Sequence, residues 1–140
     1  GYQGVRDGAV EMALKYKFMI AMENTRTKGY LTEKLFNAMY GYAIPIYFGD
    51  VMIDSYFNSE RYINCNISDE EAKKVRDLAQ NNDKKGIANT EYVLLKQVKE
   101  IVGQRVQECV ERVVQIDMND TLYHQMLMQP LFKQNRYDAS

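Results

Sequence analysis

The chain has no tryptophan, one histidine, two prolines and two cysteines among its 140 residues. Cys65 and Cys109 are too few for a disulfide framework and show no metal-ligand spacing, so they read as small buried hydrophobes. His124 stands alone among histidines and reads as a surface or interface residue rather than a ligand. No apolar run approaches the roughly 20 residues that cross a bilayer, and no stretch of these residues reads as a secretory leader. The chain opens at Gly1 rather than Met, so its start reads as a cut end. Membrane association is therefore expected only through segments outside these residues. Charge of one sign is also lacking. A net charge of -1 gives no basis for nucleic-acid binding, yet leaves room for a local basic site that takes one small anion.

What is present suffices for a core. With 46% hydrophobic residues, the chain fits one domain or a piece of a larger protein. Gly1 to Ala13 reads as a loop with a short helix starting near Val10. Lys17 to Met22 is a compact apolar run suited to a buried parallel strand, broken by Glu23 and Asn24. Thr25 to Gly29 joins polar residues to a glycine and reads as a loop. Thr32 is placed to cap a helix, in which Leu35, Met39 and Tyr42, with Ala38 between them, form one apolar face. Gly41 weakens the last turn of that helix. Ile44 to Phe48 predicts a second strand, and Arg61 to Cys65 a small third one.

Further along, Ser68 caps a helix with Asp69, Glu70 and Glu71 in its first turn, and 81–86 reads as a loop. Thr90 to Val114 predicts a long helix. Its stripe of Tyr92, Leu95, Val98, Val102, Val106, Cys109 and Val113 reads as a core or helix-pairing face. Asp120 to Leu131 is a last helix that Pro130 helps to end, and 134–140 is a polar tail.

The chemistry concentrates between Tyr16 and Asp50. Ligands of α/β folds gather at the carboxyl ends of strands and the amino ends of helices. A helix N-terminus carries unpaired N–H groups and about half a positive charge. Lys34 adds a full mobile charge in that first turn, which together suits a phosphate or diphosphate. Glu33 is a good acceptor for paired sugar hydroxyls, Asn24 offers a donor and acceptors, and Tyr30 offers a hydroxyl and a ring. On spacing alone, the favoured reading is that Thr32, Glu33 and Lys34 simply cap a surface helix, because Thr-Glu-Lys is a common helix start.

Taken as a set, Tyr16-Lys17-Phe18, Glu23-Asn24-Thr25, Tyr30-Leu31-Thr32-Glu33-Lys34 and Pro45-Ile46-Tyr47-Phe48-Gly49 closely resemble a known signature. It is the donor-binding motif of the α-1,3-fucosyltransferases, which runs Y-K-F, E-N-S, Y-x-T-E-K and P-(V/I)-Y-x-G. Asn119 to Phe132 looks like the late helix of that family. The resemblance implies an α/β fold: the Rossmann-like carboxyl-terminal half of a GT-B glycosyltransferase, a small parallel sheet with flanking helices and extra carboxyl-terminal helices. Residues 1–140 would be a partial GDP-sugar-binding domain without its amino-terminal acceptor half. Asn24 and Tyr30 would touch the nucleotide sugar, Glu33 would hold the ribose hydroxyls, and Lys34, with Thr32 beside it, would neutralise the departing diphosphate of GDP-fucose. The resemblance implies inverting transfer of L-fucose to a glycan acceptor, with no cofactor and no structural metal. The general base would come from the absent half, leaving no catalytic residue here, and Glu23 reads as structural.

Two departures stand out. The serine of E-N-S is Thr25, and 66–114 carries more helix than the family pattern, as an insertion or a divergent branch would. Two alternatives stay open: the donor domain of another nucleotide-sugar glycosyltransferase, and a non-catalytic α/β interaction module using the helix 90–114. Compartment follows the source: Golgi lumen for a eukaryotic relative, cytoplasm or peripheral membrane for a bacterial one. Oligomeric state is undetermined.

Overall fold

The computed structural model describes residues 3–83 and 89–133, so the polar tail and half of the loop expected at 81–86 lie outside the described residues, while 81–83 continue a helix rather than forming the expected loop. The chain divides into two units, residues 1–66 with 111–140, and residues 67–110.

The first unit is built on three parallel strands in the order β1-β2-β3: β1 (Phe18–Met22), β2 (Ile44–Phe48) and β3 (Ile63–Asn64). Phe18 pairs with Ile44 and Met22 with Phe48, so the two longer strands end together. Parallel neighbours need a crossover, and α2 (Glu33–Tyr40) supplies it. Leu35, Ala38 and Met39 are buried on one face of α2, as the spacing predicts. They join Ala21, Tyr47, Ile53, Phe57 and Tyr62 in the core. Each buried aliphatic side chain there contributes roughly 1.5–3 kcal/mol.

Several expectations need correction. The amino-terminal helix α1 runs over Gln3–Ala13 and does not wait for Val10. Tyr42 lies beyond α2, is exposed, and takes a left-handed φ of 55°. The apolar face therefore ends at Met39. That left-handed conformation usually falls to glycine, but the nearby glycine is held one residue earlier. A Cβ on Gly41 would lie 2.1 Å from Ala13 Cβ and 2.9 Å from the Val10 carbonyl oxygen, so Gly41 is where α1 and α2 meet. β1 is not buried on both faces: Ala21 is covered, while Ile20 and Met22 are exposed. It is an edge strand of the described sheet, and α2 covers only one side of it.

Two ends of the unit are tied down by polar contacts. Lys17 donates to the Asp117 carboxylate at 3.1 Å and to the Asp117 carbonyl at 3.2 Å, lies 3.6 Å from Asp120, and stacks over the Tyr123 ring. The hydrogen bond to Asp117 raises its pKa. Lys17 thereby meets the end of α5 (Asn89–Asp117), where carbonyls point outward and a cation is favoured. Arg61 is almost fully buried and donates to the Ala43 carbonyl at 3.1 Å. Asn119 caps α6 (Asp120–Met128) by accepting from Leu122 N–H at 3.0 Å. After α6 the chain returns to α3 (Ile53–Tyr56): Asn58 N–H donates to the Leu131 carbonyl at 2.9 Å, and Phe57 stacks on Phe132.

The second unit comprises α4 (Asp69–Asp83) and the greater part of α5. Ser68 and Glu71 form a reciprocal capping box at the start of α4, with Glu71 N–H donating to Ser68 Oγ and Ser68 N–H to Glu71 Oε2. The stripe on α5 is not a buried face along its described length, because Leu95, Val102 and Val106 are exposed. Neither Cys65 nor Cys109 is a free thiol; Cys109 is buried, as the reading of a small buried hydrophobe expects, and Cys65 is half-buried. No helix among the described residues is long and apolar enough to cross a membrane.

Two outcomes are expected of this packing. Gly41→Ala should lower the unfolding free energy by about 1–3 kcal/mol, read from the urea midpoint, because its methyl group overlaps Ala13. Alkali should destabilise the fold. Burial pushes the Tyr47 hydroxyl up from 10.0 to about 12. Burial, then the bond to Asp54, also holds the Tyr62 hydroxyl protonated. A raised folded-state pKa contributes stability that is present below the unfolded value and lost as pH climbs through the folded one. The thermal midpoint should therefore fall between about pH 10 and pH 12, and Tyr47→Phe should flatten that fall.

Candidate functional site

Glu23 directly follows β1 and extends the ladder by one bond, its N–H donating to the Phe48 carbonyl at 2.8 Å. Its side chain turns inward and is fully covered. A buried carboxylate must find donors. Three reach it: Thr32 N–H at 3.0 Å, Thr32 Oγ1 at 2.6 Å and Lys34 Nζ at 3.4 Å. Lys34 Nζ also donates to Thr32 Oγ1 at 3.2 Å. The loop between Glu23 and Thr32 is folded locally, with Thr25 and Thr27 hydroxyls 3.0 Å apart and Tyr30 N–H donating to the Thr27 carbonyl at 3.0 Å.

The carboxylate fits because residue 49 has no side chain. A Cβ on Gly49 would lie 2.4 Å from Glu23 Cγ and 2.8 Å from Tyr47 Oη. Tyr47 Oη in turn accepts from Asp50 N–H at 2.8 Å, and Asn66 fastens the same turn, accepting from Gly49 N–H at 2.9 Å and donating to the Asp50 carbonyl at 3.2 Å. Thus two polar clusters, one joining the end of β1 to the start of α2 and one closing the turn after β2, lie side by side around Gly49. Asn66 was not singled out from the sequence, and nothing in its local pattern marks it.

Thr32 occupies the N-cap position of α2 with extended backbone angles, but its hydroxyl makes no capping bond. The expected cap is thus corrected: Glu23 draws the hydroxyl away. The first-turn N–H groups of α2 consequently lack a side-chain acceptor from the N-cap residue. Lys34 is only a third exposed, and its ammonium is tied to Glu23. Asn24 and Glu33 are exposed, and Tyr30 is 39% exposed. Of the sequence-predicted residues, the structure joins Thr32 and Lys34 directly, through Glu23, and leaves Asn24, Tyr30 and Glu33 open to solvent around them. The chemistry offered is an uncapped, positively polarised helix end, one ammonium group, and polar side chains on the surface of the same junction. That combination suits an anion carrying hydroxyls. Among the described residues there is no cluster of three or more His, Cys, Asp or Glu side chains that could hold a metal ion.

Residues 3–93 match the model of the glycosyltransferase family 10 (fucosyltransferase) C-terminal region. The chain belongs to this family. An alpha-(1,3)-fucosyltransferase of Helicobacter pylori is 39% identical over 54 residues, covering 39% of this chain and 11% of that protein. An alpha-(1,4)-fucosyltransferase of Arabidopsis thaliana is 56% identical over 34 residues, 24% of this chain and 8% of that protein. A fucosyltransferase-like protein of Acanthamoeba polyphaga mimivirus is 47% identical over 57 residues, 41% of this chain and 10% of that protein. The chain thus spans about a tenth of the length of these relatives. A crystal structure of an α1,3-fucosyltransferase with GDP aligns with a TM-score of 0.54 at 22% identity, covering 86% of this chain and 25% of that one. That likeness establishes the fold of this family 10 chain as a portion of a GT-B glycosyltransferase.

Gly49→Ala should expel the Glu23 carboxylate from its place. The expected result is a loss of about 1–3 kcal/mol in stability, together with faster hydrogen exchange at the Thr32 amide, which NMR would resolve.

Proposed function

We propose that this family 10 chain is the donor-binding part of an inverting fucosyltransferase of the α1,3 type, which transfers L-fucose from GDP-fucose to a glycan hydroxyl. The observation that carries the reading is the uncapped N-terminus of α2 with the Lys34 ammonium beside it, at the carboxyl end of the sheet. Family membership supports it, as do solved neighbours whose crystals hold GDP or GDP-fucose.

In this reading the diphosphate sits over the first turn of α2, where N–H groups and Lys34 balance its charge. Glu33 accepts from the ribose hydroxyls, and Asn24 and Tyr30 contact the nucleotide sugar. Transfer is a single displacement. The acceptor oxygen bonds to the anomeric carbon as the bond to the β-phosphate oxygen breaks, and GDP leaves with the electron pair. Lys34 and the helix end stabilise the charge that grows on that oxygen, a role that donors fixed in advance perform well, and no structural metal is needed there. The proton of the acceptor hydroxyl goes to a base outside this chain. Glu23 does not serve, because its carboxylate is covered and already holds three donor contacts.

Calorimetry of GDP binding to the 140-residue chain and to Lys34→Ala tests the reading. Lys34→Ala should weaken binding by about 1.5–3 kcal/mol, the worth of one charge-assisted contact, and GDP should outcompete UDP and ADP. Equal affinities of the two proteins would remove Lys34 from the site, and a preference for UDP or ADP would reassign the donor.

A further inference from the structure

A lysine that serves an anion must be close to it, fully charged and correctly aimed. A long flexible side chain is charged by itself but neither held near nor aimed, because ordering it costs rotamer freedom. Here the Lys34 ammonium is held by the protein's own groups, Glu23 at 3.4 Å and Thr32 Oγ1 at 3.2 Å. The same carboxylate takes the Thr32 hydroxyl at 2.6 Å. A threonine at an N-cap would ordinarily accept from a first-turn N–H, and that contact would compete with a phosphate oxygen.

We propose that Glu23 is a positioning residue for the anion site: one buried carboxylate aims Lys34 and holds Thr32 off the helix end, so that both sources of positive charge stay available. The inference rests on the donor-binding reading. Glu23 touches no substrate; it acts through its two neighbours. Its own negative charge is confined by burial and offset by the ammonium, so it does not repel the ligand as an exposed carboxylate would. A bound diphosphate then adds a further acceptor to Lys34 without breaking the contact with Glu23. An ammonium group has three donors, and Glu23 and Thr32 account for two.

The test combines binding with the state of the ammonium group. GDP, inorganic pyrophosphate and guanosine are titrated into wild type, Glu23→Gln, Lys34→Ala and the double variant, with thermal midpoints recorded for each. Glu23→Gln should lose roughly 10- to 100-fold in affinity for GDP and pyrophosphate, the range of one charge-assisted hydrogen bond. Guanosine binding should stay the same, and most of the loss should vanish in the Lys34→Ala background. A residue that mattered only for folding would weaken all ligands and act equally in both backgrounds, which overturns the proposal, as does unchanged or tighter GDP binding by a folded Glu23→Gln.

Nitrogen-15 NMR of the lysine ammonium groups in wild type covers the case in which Glu23→Gln does not fold. A slowly exchanging Lys34 signal should be present without ligand and persist, shifted, with pyrophosphate bound. Its absence, or its collapse on binding, overturns the proposal. Binding of pyrophosphate without GDP would sink the donor reading and leave this one standing. Equal GDP binding by Glu23→Gln would do the reverse, and binding of neither anion overturns both.

Discussion

The organisation of the first unit depends on where the carboxylate of Glu23 goes. A carboxylate removed from water is tolerated only with donors arranged around it. Thr32 supplies two and Lys34 a third, from positions nine and eleven residues further along the chain. Satisfying that one charge therefore fixes the start of α2 against the end of β1. It also decides the conformation of Thr32, the direction of Lys34 and the openness of the helix end. The requirement extends to Gly49, where any side chain would overlap the Glu23 methylenes, and through Tyr47 to the Asp50 turn.

Core and site are consequently built from the same residues. Tyr47 lies in the hydrophobic cluster with Leu35, Met39 and Phe57, yet its hydroxyl stands beside Glu23 and accepts from Asp50. The apolar part of the ring anchors the sheet, and the polar tip finishes the network at the strand end. The polar junction at this edge follows from parallel topology. β1 and β2 end in register, so the loop after β1 and the turn after β2 meet, and α2 begins there.

The polar residue types at the junction were legible in the sequence, and the contacts among them were not. Lys34 and Thr32 were legible as helix-start residues from Thr-Glu-Lys and the apolar spacing behind it. Their link to Glu23 was not, because hydrogen bonding across nine or eleven residues leaves no periodic trace. The face made by Leu35 and Met39 was legible, since a helix repeat of 3.6 residues is written in one dimension. The exclusion of Tyr42 was not, because it depends on Gly41 packing against Ala13. Likewise the apolar run of β1 could not show that Ile20 and Met22 stay exposed. A hydrophobic string records affinity for cover, not whether an element is available to supply it. The valines of α5 show the same limit.

The sequence by itself determined the order of elements, the parallel crossover from β1 through α2 to β2, and the residue types at their junction. These rest on local propensity and on periodicity, which act over a few residues. Only the tertiary structure decided that Glu23 is the hub, that Gly49 makes room for it, and that Thr32 turns away from the helix it begins. Those outcomes depend on strand register and on the cost of burying an unpaired charge, and both are properties of distant groups brought together by the fold.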